Sequence, residues 1–405
     1  MLTPEIHPRA LRAHWALDPE FLFLNHGSFG ACPTAVLDHQ QELRARLERQ
    51  PVQFFVRDLQ GLLDTAREAA AAFVGADPAG FAFVPNATTG VNAILRSLSL
   101  APGDALLVTN HGYPACSNTV DYVAARSGAT VQVAEFPFHG ITPDGVVDAV
   151  LATVTEQTRV ALIDHITSPT GLVLPVARLV SALRERGVEV LIDGAHAPGM
   201  LDLDVTALGA TWYVGNFHKW TCAPKGAAFM YAAPAVRGDL HPVVISHGYS
   251  APLFEPDQSR FRVEFDWTGT MDPTAWLAAP FAIEYVGGLV PGGWPEIRRH
   301  TQQKVVAAQG VLAEALGVER PCPDTMLGTL AAVPLPDAEG SPPRSPLYVS
   351  PLQDALLEDH RIEVPVVPWP SHPERLVRVS AALYNDPDEY RALAQALTGY
   401  FGAEV

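Results

Sequence analysis

The sequence has little positive charge and no long apolar run. It carries 27 Lys and Arg against 44 Asp and Glu, a net charge of −17. Phosphate-backbone binding needs a basic surface, so nucleic acid is not expected as a partner. No run of about 18 apolar residues occurs, so no membrane span or membrane partner is expected. The N-terminal residues lack the apolar core of a secretory signal, which favours a cytoplasmic protein.

The four cysteines are too scattered to form a cysteine-based site. Cys32, Cys116, Cys222 and Cys322 lie far apart, and none belongs to a C-x-x-C motif. That spacing argues against a disulfide framework and against structural zinc, so no metal site is expected. Reduced and mostly buried thiols are expected instead. No G-x-G-x-x-G motif follows the early apolar runs, which argues against a dinucleotide-dependent oxidoreductase.

The whole sequence has 405 residues, which is the length of two or three domains. Over its first part, short apolar runs alternate with amphipathic segments. The runs occupy residues 81–84, 105–109, 130–133, 160–164, 188–193, 212–214 and 227–231. Their low polar alternation is typical of strands buried on both faces. The segments between them predict helices over residues 88–99, 114–126, 143–153 and 176–186. This alternation predicts an α/β fold with a helix-covered, mostly parallel sheet.

The pattern changes after about residue 233. Residues 234–272 are irregular and are expected to form a long functional loop region. Helices are predicted over 272–290 and 294–316, and a surface loop over 337–346. A smaller α+β domain is predicted from the elements that follow, at residues 347–358, 362–367, 376–380 and 387–400.

Two polar residues end or follow apolar strands. Asp193 ends the strand in VLIDGAHAPG, and a buried carboxylate there needs a partner such as a protonated pyridine nitrogen, unless it caps the next helix. Lys219 follows in GNFHKWTCAPKG, in an apolar setting. Partial burial lowers the pKa of an amine and favours Schiff-base formation. Lys225, in a Pro-Lys-Gly turn, fits a surface role better.

Two further segments predict anion binding. In VPNATTGVNAI, residues 84–94, a strand leads into a helix that begins with small and hydroxyl residues, including Thr88 and Thr89. Free N–H groups and hydroxyls at such a start can bind a phosphate. Arg378 lies in the apolar run LVRVSAALYN. It needs a carboxylate partner, either from an amino-acid substrate or from an internal Asp or Glu.

These segments together resemble the class V aminotransferase-like branch of fold-type I pyridoxal-5′-phosphate (PLP) enzymes, and within it the isopenicillin-N epimerase-like proteins. FLFLNHGSFGACP (21–33), DHITSPTG (164–171) and WTGTMDP (267–273) extend the resemblance over roughly residues 20–385, in the family's order. It implies a fold-type I PLP-dependent transferase fold. A large domain of residues 21–275 would hold a mostly parallel seven-stranded sheet. Residues 276–405 would form a small C-terminal α+β domain, and residues 1–20 would pack on it.

The resemblance also implies which residues hold the cofactor. Lys219 would carry PLP as a Schiff base and move the proton at Cα, and Asp193 would pair with the pyridine nitrogen. Tyr113 or His111 would stack on the cofactor and could take part in catalysis. Ser168 stands where many relatives carry Asn, so its contact with the ring is less defined. The remaining cofactor contacts would come from the backbone of Ala87 and from Thr88, His196, Asn216 and His218.

Substrate and partner contacts are implied as well. Arg378 would bind the carboxylate of an amino-acid substrate, and Asn25 and Gly27, in LNHGSFG, would cover it. Arg57, in FFVRD, is a further candidate for a carboxylate contact. Thr270, with the glycine before it, would reach the phosphate of the neighbouring subunit, which implies a homodimer with shared active sites.

The sequence separates the possible reactions only in part. PLP eases the breaking of any bond at Cα, and the protein selects which one breaks. Residues 361–377, before Arg378, contain no cysteine, which disfavours a cysteine desulfurase; Cys322 is too far upstream. An epimerase is the first expectation, and a class V aminotransferase or a C–S lyase stays open. The joint presence of Lys219, Asp193 and Arg378 argues against an inactive binding protein.

Overall fold

The computed structural model describes residues 7–253, 259–342 and 350–402. Strands within them are β1 (Leu22–Phe23), β2 (Phe81–Val84), β3 (Ala105–Thr109), β4 (Thr130–Ala134), β5 (Thr158–Asp164), β6 (Glu189–Gly194), β7 (Trp212–Asn216), β8 (Ala228–Ala232), β9 (Leu330–Leu335), β10 (Ile362–Glu363), β11 (Val366–Pro368) and β12 (Arg375–Ser380). Helices before β8 are α1 (Pro8–Arg12), α2 (His26–Phe29), α3 (Thr34–Arg49), α4 (Pro51–Gln53), α5 (Leu59–Val74), α6 (Ala87–Ser97), α7 (Pro114–Ser127), α8 (Pro143–Thr153), α9 (Val176–Arg184) and α10 (Val205–Leu208). Helices after β8 are α11 (Arg260–Asp266), α12 (Thr274–Gly288), α13 (Gly293–Leu316), α14 (Pro351–His360) and α15 (Pro387–Gly402).

Seven strands form one sheet in the order β2-β8-β7-β6-β5-β3-β4. Only β8 runs antiparallel to its neighbours; the other adjacent pairs are parallel. The central strands are buried because apolar side chains occupy both of their faces, whereas edge strand β4 is partly exposed. The predicted α/β fold with a mostly parallel seven-stranded sheet is confirmed. Its strand ends lie within two residues of the predicted ones.

Helices cover both faces of this sheet. Alternate residues of one strand point to opposite sides, so Leu191 and Ile192 of β6 belong to different apolar clusters. Leu191 packs in a cluster with Ile94 of α6, and Ile192 packs in a cluster with Leu179 of α9. The carboxyl ends of β5, β6 and β7 therefore emerge at one edge between two helical layers, where open α/β sheets bind ligands.

Several elements differ from the sequence prediction. Residues 234–272 contain helix α11, and Ser259 caps it by accepting a hydrogen bond from the Arg262 N–H; residues 254–258 lie outside the described residues. The element predicted over 362–367 is two short strands, because Pro365 between them has no N–H to donate. Parts of the loop predicted over 337–346 and of the element predicted over 347–358 also lie outside the described residues.

The C-terminal elements form a second, antiparallel sheet in the order β11-β12-β9, against which α13 packs. A parallel pairing of β1 with β10 joins the N-terminal residues to this part. Trp15 packs in a cluster with Val286 and Tyr384, so the N-terminal residues contact the C-terminal elements. The division at residues 20 and 275 stays a prediction. Among the described residues no helix has both the length and the apolarity that crossing a membrane requires.

Candidate active site

A cavity of about 540 Å³ lies at the carboxyl ends of β5, β6 and β7. It is lined by Ser28, Phe29, Asn86, Ala87, Thr88, Thr89, Tyr113, Asp164, Ile166, Ser168, Asp193, Ala195, His196, Asn216, His218 and Lys219. A second cavity, of about 610 Å³, is lined by Phe136, Trp369 and Arg375 among others, and contains no lysine. Of the two, the first brings a buried amine, a buried carboxylate and a helix start together.

The Lys219 amine is held by a buried histidine. Its Nζ lies 3.0 Å from Nε2 of His196. The His196 Nδ1 accepts from the Trp220 indole N–H at 3.3 Å, so a neutral imidazole carries its proton on Nε2 and donates it to the amine. Burial lowers the pKa of His196 well below its usual range, which keeps the ring neutral. This arrangement points the lone pair of an uncharged Lys219 amine at a fixed donor.

Burial also makes Lys219 a better nucleophile than an ordinary lysine. Burial first, and then the positive charge of Arg378, lower the pKa of Lys219 to about 7, against the opposing effect of Asp193. The nucleophilic form of a lysine is the free amine, and this form is well populated near neutral pH at such a pKa.

The rate at which the apoprotein bonds PLP through Lys219 is therefore expected to rise as the pH passes through about 7, and not through about 10 as for a solvated lysine. The measurement is the rise of visible absorbance after PLP is mixed with the apoprotein over a pH series. Lys225→Ala is the control, because the Lys225 amine donates to the Gly30 carbonyl at 2.7 Å and does not line the cavity. A midpoint near that of free lysine would contradict the assignment.

Asp193 is a buried carboxylate with donors on both oxygens. Oδ1 accepts from the Ala195 N–H at 3.0 Å, and Oδ2 accepts from the Cys116 thiol at 3.2 Å. Burial raises the pKa of Asp193, and these two donors and Lys219 oppose that rise. A cationic N–H such as that of a pyridinium ring would stabilise the carboxylate further.

The start of α6 forms the opposite end of the cavity. The Asn86 side chain caps the helix by accepting from the Thr89 N–H at 2.8 Å. The Ala87 N–H donates to Asn216 Oδ1 at 2.8 Å, so it is not free for a ligand as predicted. The Thr88 hydroxyl faces the thiol of Cys116 and opposes the rise in its pKa that burial causes. The helix start still carries a positive partial charge suited to a phosphate.

His218 completes this end of the cavity. Its Nδ1 donates to the Ala227 carbonyl at 3.0 Å, which leaves Nε2 as the nitrogen available to a ligand. Burial, followed by the charge of Lys219, lowers the pKa of His218 to about 4. A bound anion would favour protonation of Nε2 and gain a donor there.

Arg378 is buried, and its hydrogen-bond partners are uncharged groups. Its Nη1 donates to the Ser168 carbonyl at 2.5 Å and lies 3.3 Å from the Ser168 hydroxyl, and Nη2 donates to the Ser28 hydroxyl at 3.0 Å. Within the described part of the chain, no carboxylate forms a salt bridge with it, and its Nε is buried without a hydrogen bond. The structure thus supplies neutral partners only, and a substrate carboxylate would supply the missing charge.

Five of the sequence-predicted residues, His111, Thr270, Arg57, Asn25 and Gly27, do not line this cavity. His111 is fully buried and is held by the Thr170 hydroxyl at 2.9 Å and the Phe136 carbonyl at 3.0 Å, so only Tyr113 of the two aromatic candidates reaches the cavity. Thr270 and Arg57 are exposed on the surface of this chain.

Asn25 and Gly27 are also turned to other partners. The Asn25 amide donates to Glu363 at 3.2 Å, and the Gly27 N–H donates to the Ser380 hydroxyl at 2.9 Å. A side chain at Gly27 would approach Leu330 to 2.7 Å, so this glycine permits close packing and does not cover a substrate with its N–H. The next two residues, Ser28 and Phe29, line the cavity instead.

The sequence prediction missed His26, which supports Lys219 from behind. His26 is buried, its Nε2 donates to the Lys219 carbonyl at 2.9 Å, and its Nδ1 accepts from the Tyr384 hydroxyl at 2.7 Å. Asp164, at the end of β5, was missed as well, although it ends a buried strand in the same way as Asp193. Comparing strand ends across the sheet would have found it.

These groups fit PLP. A buried amine of lowered pKa can bond its aldehyde, the Asp193 carboxylate can pair with its ring nitrogen, and the α6 start with His218 can hold its phosphate. The fold and the site together define a PLP-dependent enzyme of fold type I.

Comparison with known proteins gives the family. The family model of aminotransferase class-V matches residues 31–342. Isopenicillin N epimerase of Amycolatopsis lactamdurans is 35% identical over 95% of this chain and 96% of its own. A probable chloroplastic L-cysteine desulfhydrase of Arabidopsis thaliana is 32% identical over 94% of this chain and 83% of its own.

A solved structure of the C-DES protein, with glycine covalently linked to its PLP cofactor, has the same fold. It superposes with a TM-score of 0.78 at 22% identity, covering 98% of this chain and 99% of the other. The chain belongs to the class V aminotransferase family, and its cofactor is PLP.

Proposed function

We propose that the protein is an amino-acid epimerase that uses PLP to exchange the Cα proton from one face to the other. The observation that carries this proposal is that the Lys219 amine and Tyr113 border the same cavity and that the charge of Arg378 acts on both. A substrate carboxylate bound by Arg378 would therefore place Cα near two proton-transfer groups. The resemblance to isopenicillin N epimerases supports the same reaction.

The chain's own groups have distinct tasks in this reaction. When bound, PLP withdraws electrons from Cα and lowers the barrier to loss of its proton. The uncharged Lys219 amine takes the proton from one face, and the Tyr113 hydroxyl gives one to the other face. Burial raises the pKa of Tyr113, so the hydroxyl keeps its proton until it donates. Arg378 holds the carboxylate so that Cα stays between them.

The test uses the holoenzyme and both enantiomers of a panel of amino acids in heavy water. Deuterium at Cα with loss of optical purity is the expected result. Tyr113→Phe is expected to lower the rate of inversion by about 10²-fold or more and to retain exchange on the Lys219 face. Tyr122→Phe, on the exposed side of α7, is the matched control and is expected to match the wild type. Exchange without inversion in the wild type would contradict the proposal.

A C–S lyase is the second candidate, because the relatives include L-cysteine desulfhydrases and the C-DES fold neighbour is a cystine C–S lyase. The same assay with cysteine and cystine separates it: release of a sulfur product with pyruvate would favour the lyase. Formation of a keto acid that needs a second keto acid as acceptor would favour an aminotransferase.

We further propose a homodimer with shared active sites. Val56 and Tyr249 are exposed, and Val56 borders an apolar surface depression together with Trp267, close in sequence to the exposed Thr270. A second copy covering this surface would remove it from water and bring Thr270 toward a phosphate. Sedimentation analysis of the holoenzyme measures whether the homodimer forms.

We also propose a reducing compartment such as the cytoplasm, which the free thiols of all four cysteines support.

A further inference from the structure

A second buried carboxylate lies beside Asp193. Strands β5 and β6 are parallel neighbours, and Asp164 pairs in register with Asp193. Paired residues of neighbouring strands point to the same face about 5 Å apart. Asp164 is 4% exposed and Asp193 is 3% exposed, and both line the cavity. Asp193 would pair with the ring nitrogen of PLP, whereas no part of the proposed reaction has so far been assigned to Asp164.

The surroundings of Asp164 do not support two negative charges. The titratable groups that face it are Asp193 on β6, Cys116 on α7 and Lys219 after β7. Of these three groups, Lys219 alone can carry a positive charge, and its own pKa is lowered to about 7. Two carboxylates that share a buried site cannot both ionise freely, so one retains its proton.

The surroundings of the two carboxyls favour the charge on Asp193. Asp193 has a donor on each oxygen, from the Ala195 N–H at 3.0 Å and the Cys116 thiol at 3.2 Å, and donors favour the anion. Burial first, and then the charge of Asp193, raise the pKa of Asp164 well above its usual range. The proton therefore resides on Asp164.

Asp164 also reaches the turn that presents Tyr113. The backbone N–H of Tyr113, the residue that precedes α7, faces the Asp164 carboxyl as a hydrogen-bond donor and opposes the rise in its pKa. A side chain added at Gly112 would lie 3.6 Å from Asp164 Oδ2, which shows how closely the carboxyl follows this turn. A neutral carboxyl group accepts such a bond through its carbonyl oxygen.

We propose that Asp164 is carried as an uncharged carboxylic acid that holds Tyr113 over the cavity as a positioning residue and leaves Asp193 as the one carboxylate charge there. The roles of Tyr113 and Asp193 rest on the proposed function. The proton on Asp164 is a property of the apoprotein and does not depend on it.

The first experiment measures unfolding of the apoprotein against pH. An Asp whose pKa is higher in the folded state loses folded-state stability as the pH rises from about 4 toward that higher pKa, because the folded form holds a proton that the unfolded form has released. Asp164→Asn removes this loss. Near pH 4 the variant is expected to match the wild type, and its advantage in denaturation midpoint is expected to grow as the pH rises above about 4. A variant that is less stable than the wild type at pH 8 would overturn the proposal.

An infrared difference spectrum between wild-type and Asp164→Asn apoprotein tests the proton directly. The difference at neutral pH is expected to contain the carbonyl stretch of a protonated carboxylic acid. A difference made only of carboxylate bands would overturn the assignment, whatever the stability result.

The second experiment tests positioning through the dissociation constant for PLP. Asp164→Asn can still accept the Tyr113 N–H and is expected to stay within about twofold of the wild type, with the same pH dependence of the visible band. Asp164→Ala and Tyr113→Ala are each expected to weaken PLP binding by up to about tenfold, and the double variant no further. Additive losses would overturn the positioning role. A wild type that gives no visible band with PLP would count against the proposed function, and the apoprotein results would still decide the protonation of Asp164.

Discussion

Lys219→Ala is expected to abolish the covalent bond to PLP and to lower the activity by at least about 10⁴-fold. The reason is that the substitution removes both the cofactor anchor and the Cα base. The measurement is the visible band of the purified protein, its trapping on Lys219 by borohydride followed by peptide mass analysis, and turnover. Non-covalent PLP is expected to remain, since Asp193, His218 and the α6 start are unchanged.

Lys225→Ala is the matched control for this variant. Lys225 is a neighbouring lysine in a turn, and its amine donates to a backbone carbonyl outside the cavity. It is expected to keep the visible band and the labelled peptide of the wild type. Borohydride labelling found on Lys225 in the wild type, or PLP that borohydride still fixes covalently to the Lys219→Ala protein, would refute the assignment.

The second large effect is expected at Arg378. Arg378→Ala should raise KM for the amino-acid substrate by about 10²-fold or more, because truncating one partner of a buried, hydrogen-bonded charge pair costs about 2–5 kcal/mol. The visible band of PLP should remain, because Arg378 itself is not among the groups predicted to hold the ring or the phosphate. Loss of its charge should raise the pKa of Lys219, which that charge lowers in the wild type.

Two further variants sharpen the test of Arg378. Arg378→Lys keeps a positive charge but loses the paired N–H groups, so its KM is expected between those of the wild type and the alanine variant. Arg178→Ala removes an exposed arginine that pairs with Asp144 and should leave KM unchanged. A KM that is equal in Arg378→Ala and the wild type would rule out carboxylate binding by this residue.

The sheet could be predicted because its strands are buried on both faces. Such strands are continuous apolar runs, and the runs at residues 81–84 and 105–109 match β2 and β3 at both ends. Helix α3 was not predicted from the sequence, because few of its 16 residues are buried and its apolar stripe is therefore weak. Strand β9 contains Pro334, which argues against a strand in a sequence read alone, although it pairs with β12 in the structure.

The predicted site residues that the structure brings together are mainly charged residues, which are rarely buried unless they have a function or a partner. Lys219, Asp193 and Arg378 are charged residues in apolar runs. Asp193 and Arg378 are buried and Lys219 is partly buried, and all three lie at one cavity or beside it. The choice between His111 and Tyr113 needed the structure, because two residues in one turn can face opposite ways. The engagement of the Ala87 N–H by Asn216 also needed it, since residues 129 positions apart become neighbours only through the sheet.

The hydrogen bonds of His26 have a mechanical consequence. Tyr384 follows β12, the strand that carries Arg378, and the His26 ring links its hydroxyl to the backbone of Lys219. A shift of β12 when a carboxylate is captured would therefore strain or reorient the peptide that carries the reactive amine. Through such a shift we expect recognition at one end of the substrate to affect the base at the other, so that a substrate without a carboxylate loses rate as well as affinity.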